Sequence, residues 1–384
     1  MRRIYMDHSA TTPVDSRVVE AMLPYMNEKF GNASSIHSFG RVAKVALEEA
    51  RERIAGFCGA HANEIYFTSG GTESDNMAIQ GIVRQLANKG NHIITSMIEH
   101  HAVLHTCEWL EKEGFEVTYL KPDEYGMIHP EAVARAIRDD TILVTIMHAN
   151  NEVGTINPIN EIGQIARERG VVFHTDAVQT FGKMPINLSQ LPVDLMSMSG
   201  HKIYGPKGVG ILYVRKGIKL KPITFGGAHE RNRRPGTENI PGVIGLTKAV
   251  EICEKQMIED EVEIKKLREA LYSKITESIP KVKLNGHPDQ RLAGLQNLTF
   301  EGIEGEALLL SLDLKGVAAS SGSACTSGSV DSSHVLRAMG IKPELAQSSI
   351  RFSLGRSNTM DDVEYTATNL IEIVDRLRKM SPLA

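Results

Sequence analysis

The sequence lacks any apolar run long enough to span a bilayer. Its first residues, MRRIYMDHSATTP, include two arginines but neither an extended apolar core nor a cleavage-like site, so we expect no signal peptide. The formal net charge is only -4, which does not indicate nucleic acid or an anionic membrane surface as a partner. We therefore expect a protein without direct nucleic-acid or membrane binding.

Cysteine is also scarce, and none of the four cysteines stands in a CxxC pair. This spacing argues against a zinc cage and against a disulfide framework, and it fits the reducing cytoplasm best. Two nucleotide-binding fingerprints are missing as well, because no G-x-G-x-x-G follows the first strand and no G-x-x-x-x-G-K-[ST] loop occurs.

The residues that are present predict an α/β protein of two domains. From Glu64 onward, apolar strands alternate with helices, which is typical of a mainly parallel sheet covered on both faces. After Pro241 the pattern changes to a long charged helix over 242–278 and then a smaller α/β unit. We assign residues 15–260 to a large domain, and residues 1–14 and 261–384 to a small one. A helix is predicted from Asp15 or Ser16 to about Lys29.

The stretch Ser199-Gly200-His201-Lys202 is the strongest single candidate for chemistry. A predicted buried strand over 193–198 runs into this tight turn and ends at a lysine. A buried amine loses its charge readily, and a neutral amine can form a Schiff base with an aldehyde. The alternative is an ordinary solvated loop lysine.

Polar side chains follow the neighbouring strands, at the edge where parallel sheets gather their active sites. Asp176 would lie beside the lysine strand, where a carboxylate can keep a pyridinium nitrogen protonated; the alternative is a helix cap. Gln179 could reach a ring hydroxyl, and Asn151 follows the strand over 142–147 at the same edge. His100 follows another strand, and an imidazole there could stack on a ring and transfer protons.

An anion-binding loop completes this set of strand ends. Ser69-Gly70-Gly71-Thr72 lies between a strand and a helix, where backbone amides and the helix N-terminus can hold a phosphate. Alone it also fits an ordinary turn with Thr72 as cap. Together with the His, Asn, Asp and Lys at the other strand ends, it favours pyridoxal phosphate over a nucleotide.

Two further candidates lie in the C-terminal part. Cys325 is centred in a loop of small residues, SSGSACTSGS, where we expect an exposed, nucleophilic thiol rather than a harmless loop cysteine. Arg351 stands inside a strand with apolar neighbours. Its guanidinium fork could grip an amino-acid carboxylate, or equally form a structural ion pair with a nearby acid.

The chain resembles the cysteine desulfurases of the NifS/IscS group. Ten segments carry this resemblance nearly end to end: DHSATTPVD, GNASSIHSFG, TSGGTESDN, EHHAVL, ANNEVGTI, HTDAVQTFGK, SGHKIYGPKGVG, GGAHERNRRPGTEN, SSGSACTSGS and SSIRFSLGR. The resemblance implies the aspartate-aminotransferase-like fold of pyridoxal-phosphate (PLP) enzymes, fold type I. It has a mainly parallel seven-stranded sheet in the large domain and a smaller α/β domain that holds the cysteine loop.

The resemblance also assigns a role to each matched residue. Lys202 would bind the cofactor as a Schiff base, Cys325 would be the nucleophile that becomes a persulfide, and His100 would stack on the ring and move protons. The other implied contacts are Gly71, Thr72, Ser199 and His201 with the cofactor phosphate, Thr237 with the phosphate of the partner subunit, Asp176 with the pyridine nitrogen, Asn151 and Gln179 near the ring hydroxyl and substrate, and Arg351 with Asn32 at the substrate carboxylate.

The implied reaction is removal of sulfur from L-cysteine, which gives L-alanine and a Cys325 persulfide. The implied partners are a second copy of the chain and a sulfur acceptor, either a scaffold for iron–sulfur assembly or a tRNA-thiolation relay. No isolated metal site is expected, although a Cys325 ligand to a cluster shared with a scaffold stays open. The alternatives are a selenocysteine lyase or an aminotransferase of the same fold, or a sulfur-relay protein without catalysis.

Overall fold

The computed structural model describes residues 2–321 and 332–380. Within these ranges the strands are β1 (Ile4–Tyr5), β2 (Ile65–Thr68), β3 (His92–Ser96), β4 (Glu116–Leu120), β5 (Thr141–Thr145), β6 (Val172–Asp176), β7 (Leu195–Ser199), β8 (Gly210–Val214), β9 (Val282–Asn285), β10 (Leu295–Phe300), β11 (Val317–Ala318) and β12 (Ser349–Ser353). The α-helices are α1 (Ser16–Met22), α2 (Pro24–Asn27), α3 (Ser38–Cys58), α4 (Gly71–Leu86), α5 (His101–Lys112), α6 (Pro130–Ala136), α7 (Ile159–Glu168), α8 (Ile240–Ser278), α9 (Gly305–Leu314), α10 (His334–Ala338), α11 (Pro343–Gln347) and α12 (Met360–Met380).

Seven strands form the main sheet in the order β2-β8-β7-β6-β5-β3-β4. Six of them run in one direction, and β8 alone runs in the opposite direction, between β2 and β7. The chain between β7 and β8 has no α-helix, and a short connection of this kind suits antiparallel rather than parallel neighbours. The inner strands are buried on both faces, as the apolar runs predicted.

A second sheet of three antiparallel strands, β12-β10-β9, lies in the C-terminal part of the chain. The N-terminal segment packs with it: β1 pairs with β11, and Ile4 and Met6 belong to the same apolar cluster as Leu298 and Phe352. This packing agrees with grouping the first residues with the C-terminal part. The domain boundaries themselves stay a prediction.

The helix α8 connects the two parts. Its 39 residues span about 58 Å at 1.5 Å per residue. Leu246 and Cys253 in its first half pack in the core that includes the main sheet, while Leu271 and Ile275 pack in the core of the smaller sheet. One helix therefore fixes the spacing between the two apolar cores.

The single helix predicted from residue 15 or 16 to about Lys29 is divided in two. Asp15 caps α1 as expected, since its Oδ1 accepts a hydrogen bond of 3.0 Å from the amide of Arg17. The first helix ends at Met22, and Pro24 begins α2 because proline lacks the amide that a helix interior needs. None of the described helices is both long and apolar enough to cross a membrane.

Candidate active site

The candidate site lies at the carboxyl edge of the main sheet, where β6 and β7 end side by side. β6 ends at Asp176, whose register partner on β7 is Ser197. β7 ends at Ser199 and continues into a 3₁₀ turn over Gly200–Lys202. Two adjacent parallel strands thus bring the predicted carboxylate and the predicted lysine to one place.

The Lys202 amine contacts the N-terminal segment of the chain. Its Nζ donates to the backbone oxygens of Ser9 and of Ala10, the latter at 2.7 Å. Burial, with further contributions from the cations of Lys183 and Arg351, lowers the pKa of Lys202 to about 7. A neutral amine has two hydrogens, and these two carbonyls accept both, so its lone pair is left free for reaction.

Asp176 and Gln179 line the same edge. The carboxylate of Asp176 accepts a hydrogen bond of 2.8 Å from the amide of Val178, and burial raises its pKa. The amide of Gln179 is held at both ends: its Nε2 donates to the oxygen of Ser9 at 3.0 Å, and its Oε1 accepts from Lys183 at 3.2 Å. Asp176 therefore caps the turn, as the alternative interpretation had it, and also stands at the sheet edge.

His100 immediately precedes α5 and acts as its N-cap. Its Nδ1 accepts a hydrogen bond of 3.1 Å from the amide of Ala102, so the neutral ring has its proton on Nε2. Burial, and to a lesser degree the nearby cation of Lys202, lowers the pKa of His100 to about 4. The imidazole is consequently uncharged at neutral pH.

A recess at the N-terminus of α4 has the features of an anion site. It is lined by Ala10, Thr11, Ser69, Gly70, Gly71, Thr72, Glu73, Ser199, His201, Lys207 and Gly208. The hydroxyl of Ser199 is buried and has no hydrogen-bond partner among the described residues. A Cβ on Gly71 would lie 2.6 Å from Cγ2 of Val178, so only glycine fits there. The imidazole of His201 contacts Thr11 Oγ1 at 3.1 Å.

Arg351 is buried on β12 and already has a carboxylate partner. Its Nη2 donates to Asp7 Oδ1 at 2.8 Å, and its Nη1 donates to the backbone oxygen of Asn151 at 2.9 Å. Its Nε has no partner among the described residues. The structural ion pair that the sequence left open is thus formed, and the substrate role of Arg351 stays a prediction.

Three predicted site residues are not joined to this cluster. Asn32 is exposed, and its Oδ1 accepts a hydrogen bond from the amide of Ser34 in a local turn. Thr237 is exposed and does not line the recess of its own chain. Cys325 lies outside the described residues.

Some groups at the site were not found from the sequence. Lys183 contacts Gln179, Asp7 pairs with Arg351, and the carbonyls of Ser9 and Ala10 accept from Lys202. These residues lie in two of the segments that carry the resemblance, HTDAVQTFGK and DHSATTPVD. Neither segment indicates which distant strand end its residues contact in the fold.

A buried acid on α4 lies close to His174 of β6. Asp75 on α4 has its Oδ1 without a hydrogen-bond partner among the described residues, 3.7 Å from Nε2 of His174. Burial and the nearby Asp176 carboxylate raise the pKa of Asp75. Within residues 2–321 and 332–380, no group of three or more His, Cys, Asp or Glu side chains could hold a metal ion.

Comparison with known proteins identifies the family. A family model described as "Aminotransferase class-V" matches residues 4–366. The chain belongs to the class-V aminotransferase family. This class-V aminotransferase is 58% identical over 382 residues to "Cysteine desulfurase IscS" of Methanosarcina thermophila, with 100% of this chain and 94% of that protein covered.

Solved structures agree with this assignment. A structure described as "NIFS-LIKE PROTEIN" matches with a TM-score of 0.92 and 38% identity, over 98% of this chain and 100% of the other. A structure described as "SspA in complex with cysteine" matches with a TM-score of 0.82 and 39% identity, over 93% and 100%. The predicted relationship to the NifS/IscS cysteine desulfurases, the fold-type-I architecture and the pyridoxal phosphate cofactor are confirmed.

The residues at the sheet edge fit pyridoxal phosphate. The unpartnered hydroxyl of Ser199 and the close glycine at position 71 suit a phosphate in the recess. Lys202 offers an amine that is readily neutral, and Asp176 offers a buried carboxyl for a ring nitrogen. Each of these features suits one part of the cofactor.

Proposed function

We propose that this enzyme removes sulfur from L-cysteine, releases L-alanine and holds the sulfur as a persulfide on Cys325. The observation that carries the proposal is the Lys202 amine at the end of β7, buried and poised to be neutral beside Asp176. The solved relative described in complex with cysteine supports this amino acid as the substrate.

Pyridoxal phosphate, when bound, supplies an aldehyde for amino groups and a cationic ring that withdraws electrons from the substrate Cα. Ser199, His201, Gly71 and Thr72 hold the phosphate. Asp176 pairs with the ring nitrogen and keeps it protonated. Burial raises the pKa of Asp176 although the Lys202 cation acts to lower it, so this carboxyl would gain from a further positive partner.

Lys202 and His100 handle protons on the substrate. Lys202 would hold the aldehyde of the cofactor, and its amine, when free, would accept the Cα proton of the substrate. His100 stacks on the ring as a neutral imidazole and donates from Nε2, the nitrogen opposite its hydrogen bond to the amide of Ala102. Asn151 and Gln179 contact the ring hydroxyl and the substrate.

Arg351 binds the substrate carboxylate, assisted by Asn32. Its guanidinium presents an unpartnered Nε and two nitrogens now bonded to Asp7 and to the oxygen of Asn151. We propose that a substrate carboxylate displaces Asp7 from this fork, because two carboxylates beside one buried guanidinium would repel each other. Substrate binding is therefore an exchange of one carboxylate for another.

Cys325 takes the sulfur. Its thiolate attacks the sulfur of the bound substrate, a sulfur–sulfur bond forms, and the bond between that sulfur and the substrate carbon breaks. The electron pair of the broken bond stays on the substrate carbon, which is protonated to give L-alanine. No external oxidant is required, because the two sulfur atoms are oxidised from the thiol to the persulfide level while the substrate carbon that loses its sulfur is reduced by the same electron pair.

We propose a homodimer in which Thr237 reaches the phosphate of the partner subunit. Large apolar side chains are exposed along α1 to α3 and in the loop before Thr237, with Ile36 exposed to 91% and Phe225 to 85%. The others are Val19, Leu23, Met26, Phe30, Phe39, Val42 and Val45. A second copy of the chain would remove this apolar surface from water.

The sulfur acceptor that we propose is a scaffold for iron–sulfur assembly or a tRNA-thiolation relay. The similarity to proteins named cysteine desulfurase IscS favours the scaffold. A cytoplasmic location is supported by Cys58, Cys107 and Cys253, which are free and buried.

Purified enzyme tests the proposal directly. Supplied with L-cysteine and a thiol reductant, it should release L-alanine and sulfide in equal amounts, whereas Cys325→Ala should keep the visible absorbance of the bound cofactor but lose at least about 100-fold in rate. An alanine variant as active as the wild type would reject the persulfide step. A protein that takes up no pyridoxal phosphate would instead support a non-catalytic relay.

A further inference from the structure

A second lysine shares the surroundings of Lys202. Lys183 follows β6 in the segment HTDAVQTFGK, and both half-buried lysines line one cavity of about 90 Å³ behind the sheet edge. Other walls of this cavity come from α8 and from the turn after β12. Two amines in one buried space are unusual, since each disfavours the charge of the other.

A short chain of hydrogen bonds joins the two amines. Lys183 Nζ donates to Gln179 Oε1 at 3.2 Å, Gln179 Nε2 donates to the oxygen of Ser9 at 3.0 Å, and Lys202 Nζ donates to that same oxygen. The Lys183 ammonium can only donate and the Ser9 carbonyl can only accept, so both select the same orientation of the Gln179 amide. Lys183 thus helps to hold Gln179 in place.

No acid neutralises Lys183 among the described residues. Asp260, an acid that lines the cavity, is bound to Arg356 at 2.6 Å. Burial raises the pKa of Cys253, a thiol that lines the same cavity. The pKa of Lys183 or of Lys202 is affected by charged or titratable groups from four elements: Cys253 from α8, Arg351 from β12, Asp176 from β6 and Asp7 from the N-terminal segment. The two lysines in turn lower the pKa values of His8, His100 and His201.

The two lysine side chains differ in pKa. Burial lowers the pKa of Lys183 to about 8, whereas burial together with the Lys183 cation lowers that of Lys202 to about 7. Near neutral pH, Lys183 is mostly charged while Lys202 is about half neutral.

We propose that Lys183 is a positioning residue for Lys202: it holds Gln179 together with the Ser9 carbonyl, and its ammonium shares the cavity with the Lys202 amine, so that Lys202 rather than Lys183 takes up the cofactor aldehyde. This inference rests on the proposed role of Lys202. It assigns to Lys183 no contact with substrate or cofactor.

The test measures how fast cofactor-free protein takes up pyridoxal phosphate. The growth of visible absorbance is followed from pH 6 to pH 9 in wild type, Lys183→Met and Lys183→Arg, with the exposed Lys216→Met as matched control. Wild-type uptake should rise through a midpoint near pH 7. In Lys183→Met the midpoint should rise by about half a pH unit or more, which makes uptake about threefold slower at about pH 6.5 and equal at high pH. Lys183→Arg and Lys216→Met should follow the wild type.

Each other outcome has a distinct meaning. An unchanged midpoint in Lys183→Met, or an equal shift in Lys183→Arg, would overturn the role of the Lys183 charge. If Lys183→Met does not fold, Lys183→Gln gives the same comparison with a polar side chain of similar reach. Lys202→Ala separates the two proposals: should it still develop the visible band, the assignment of Lys202 itself fails, whatever Lys183 does.

Discussion

The two halves of the candidate site differ in how their polar groups are satisfied. At the edge of the main sheet, the hydroxyl of Ser199 is buried with no partner in the part of the chain that the structure describes, and Lys202 is poised to be neutral. On β12 of the smaller sheet, Arg351 is bonded to Asp7 and to the backbone of Asn151. The cofactor half thus offers a free hydroxyl to a ligand, whereas the guanidinium of the substrate half, apart from its Nε, is already bonded within the protein.

This difference determines how tightly each half of the site binds its ligand, the cofactor or the substrate. Buried polar groups without partners are costly, and a ligand that satisfies them regains that free energy in full. A group that already has a partner gains only the difference between the old and new contacts. We therefore expect tight cofactor binding and substrate binding of moderate affinity.

The largest expected effect comes from the cofactor half. Lys202→Ala should lower the turnover of L-cysteine by at least about 1,000-fold, because it removes both the cofactor linkage and the group that accepts the Cα proton. Turnover is measured as alanine released. Lys216→Met, an exposed lysine outside the site, is the control, and a Lys202→Ala enzyme with more than about a tenth of wild-type turnover would contradict the assignment.

A substitution in the substrate half should mainly change KM for L-cysteine. Arg351→Met should raise KM for L-cysteine by about 10- to 100-fold, since a charge-assisted bidentate contact contributes about 1.5–3 kcal/mol. Cofactor absorbance should stay unchanged, which separates the two halves. Arg351→Lys should recover only part of the loss, because an ammonium cannot reproduce the fork. Loss of cofactor binding without a change in KM would reverse the roles of the two halves.

The sequence predicted the cofactor half better than the substrate half. The strand ends that supply Asp176, Ser199 and Lys202 follow from strand order and the rule for parallel sheets, and the structure places them together. The contact between Arg351 and Asp7 joins residues 344 positions apart, so no local pattern indicates it. The division of the first helix at Pro24 follows from the proline rule and could have been predicted, whereas no spacing indicates that Lys183 would share a cavity with Lys202.

A smaller effect is expected at the phosphate recess. Gly71→Ala should weaken pyridoxal phosphate binding by about 10-fold, because its Cβ would lie 2.6 Å from Val178 and the turn must shift by a fraction of an ångström. The measurement is the dissociation constant from absorbance titration of cofactor-free protein. Gly56→Ala is the matched control, since a Cβ there meets nothing within 4 Å. Equal affinities in the two variants would mean that the recess does not hold the phosphate.

The smallest effect tests the exchange of carboxylates. Asp7→Asn frees Arg351 from its internal partner, so KM for L-cysteine should fall by about two- to tenfold, and L-cysteine should raise the melting temperature more than it does in the wild type. Asp15→Asn, an acid at the start of α1 that pairs with Arg17, is the control. A KM that rises instead would show that Asp7 assists substrate binding.

The most direct test of the account is mass analysis of the peptide that contains Cys325 after a single turnover with L-cysteine in the absence of reductant. We expect that peptide to gain the mass of one sulfur atom in step with the L-alanine released, and Lys202→Ala to show neither change. Alanine released without any added sulfur on Cys325 would contradict the proposal that both halves of the site deliver sulfur to this thiol.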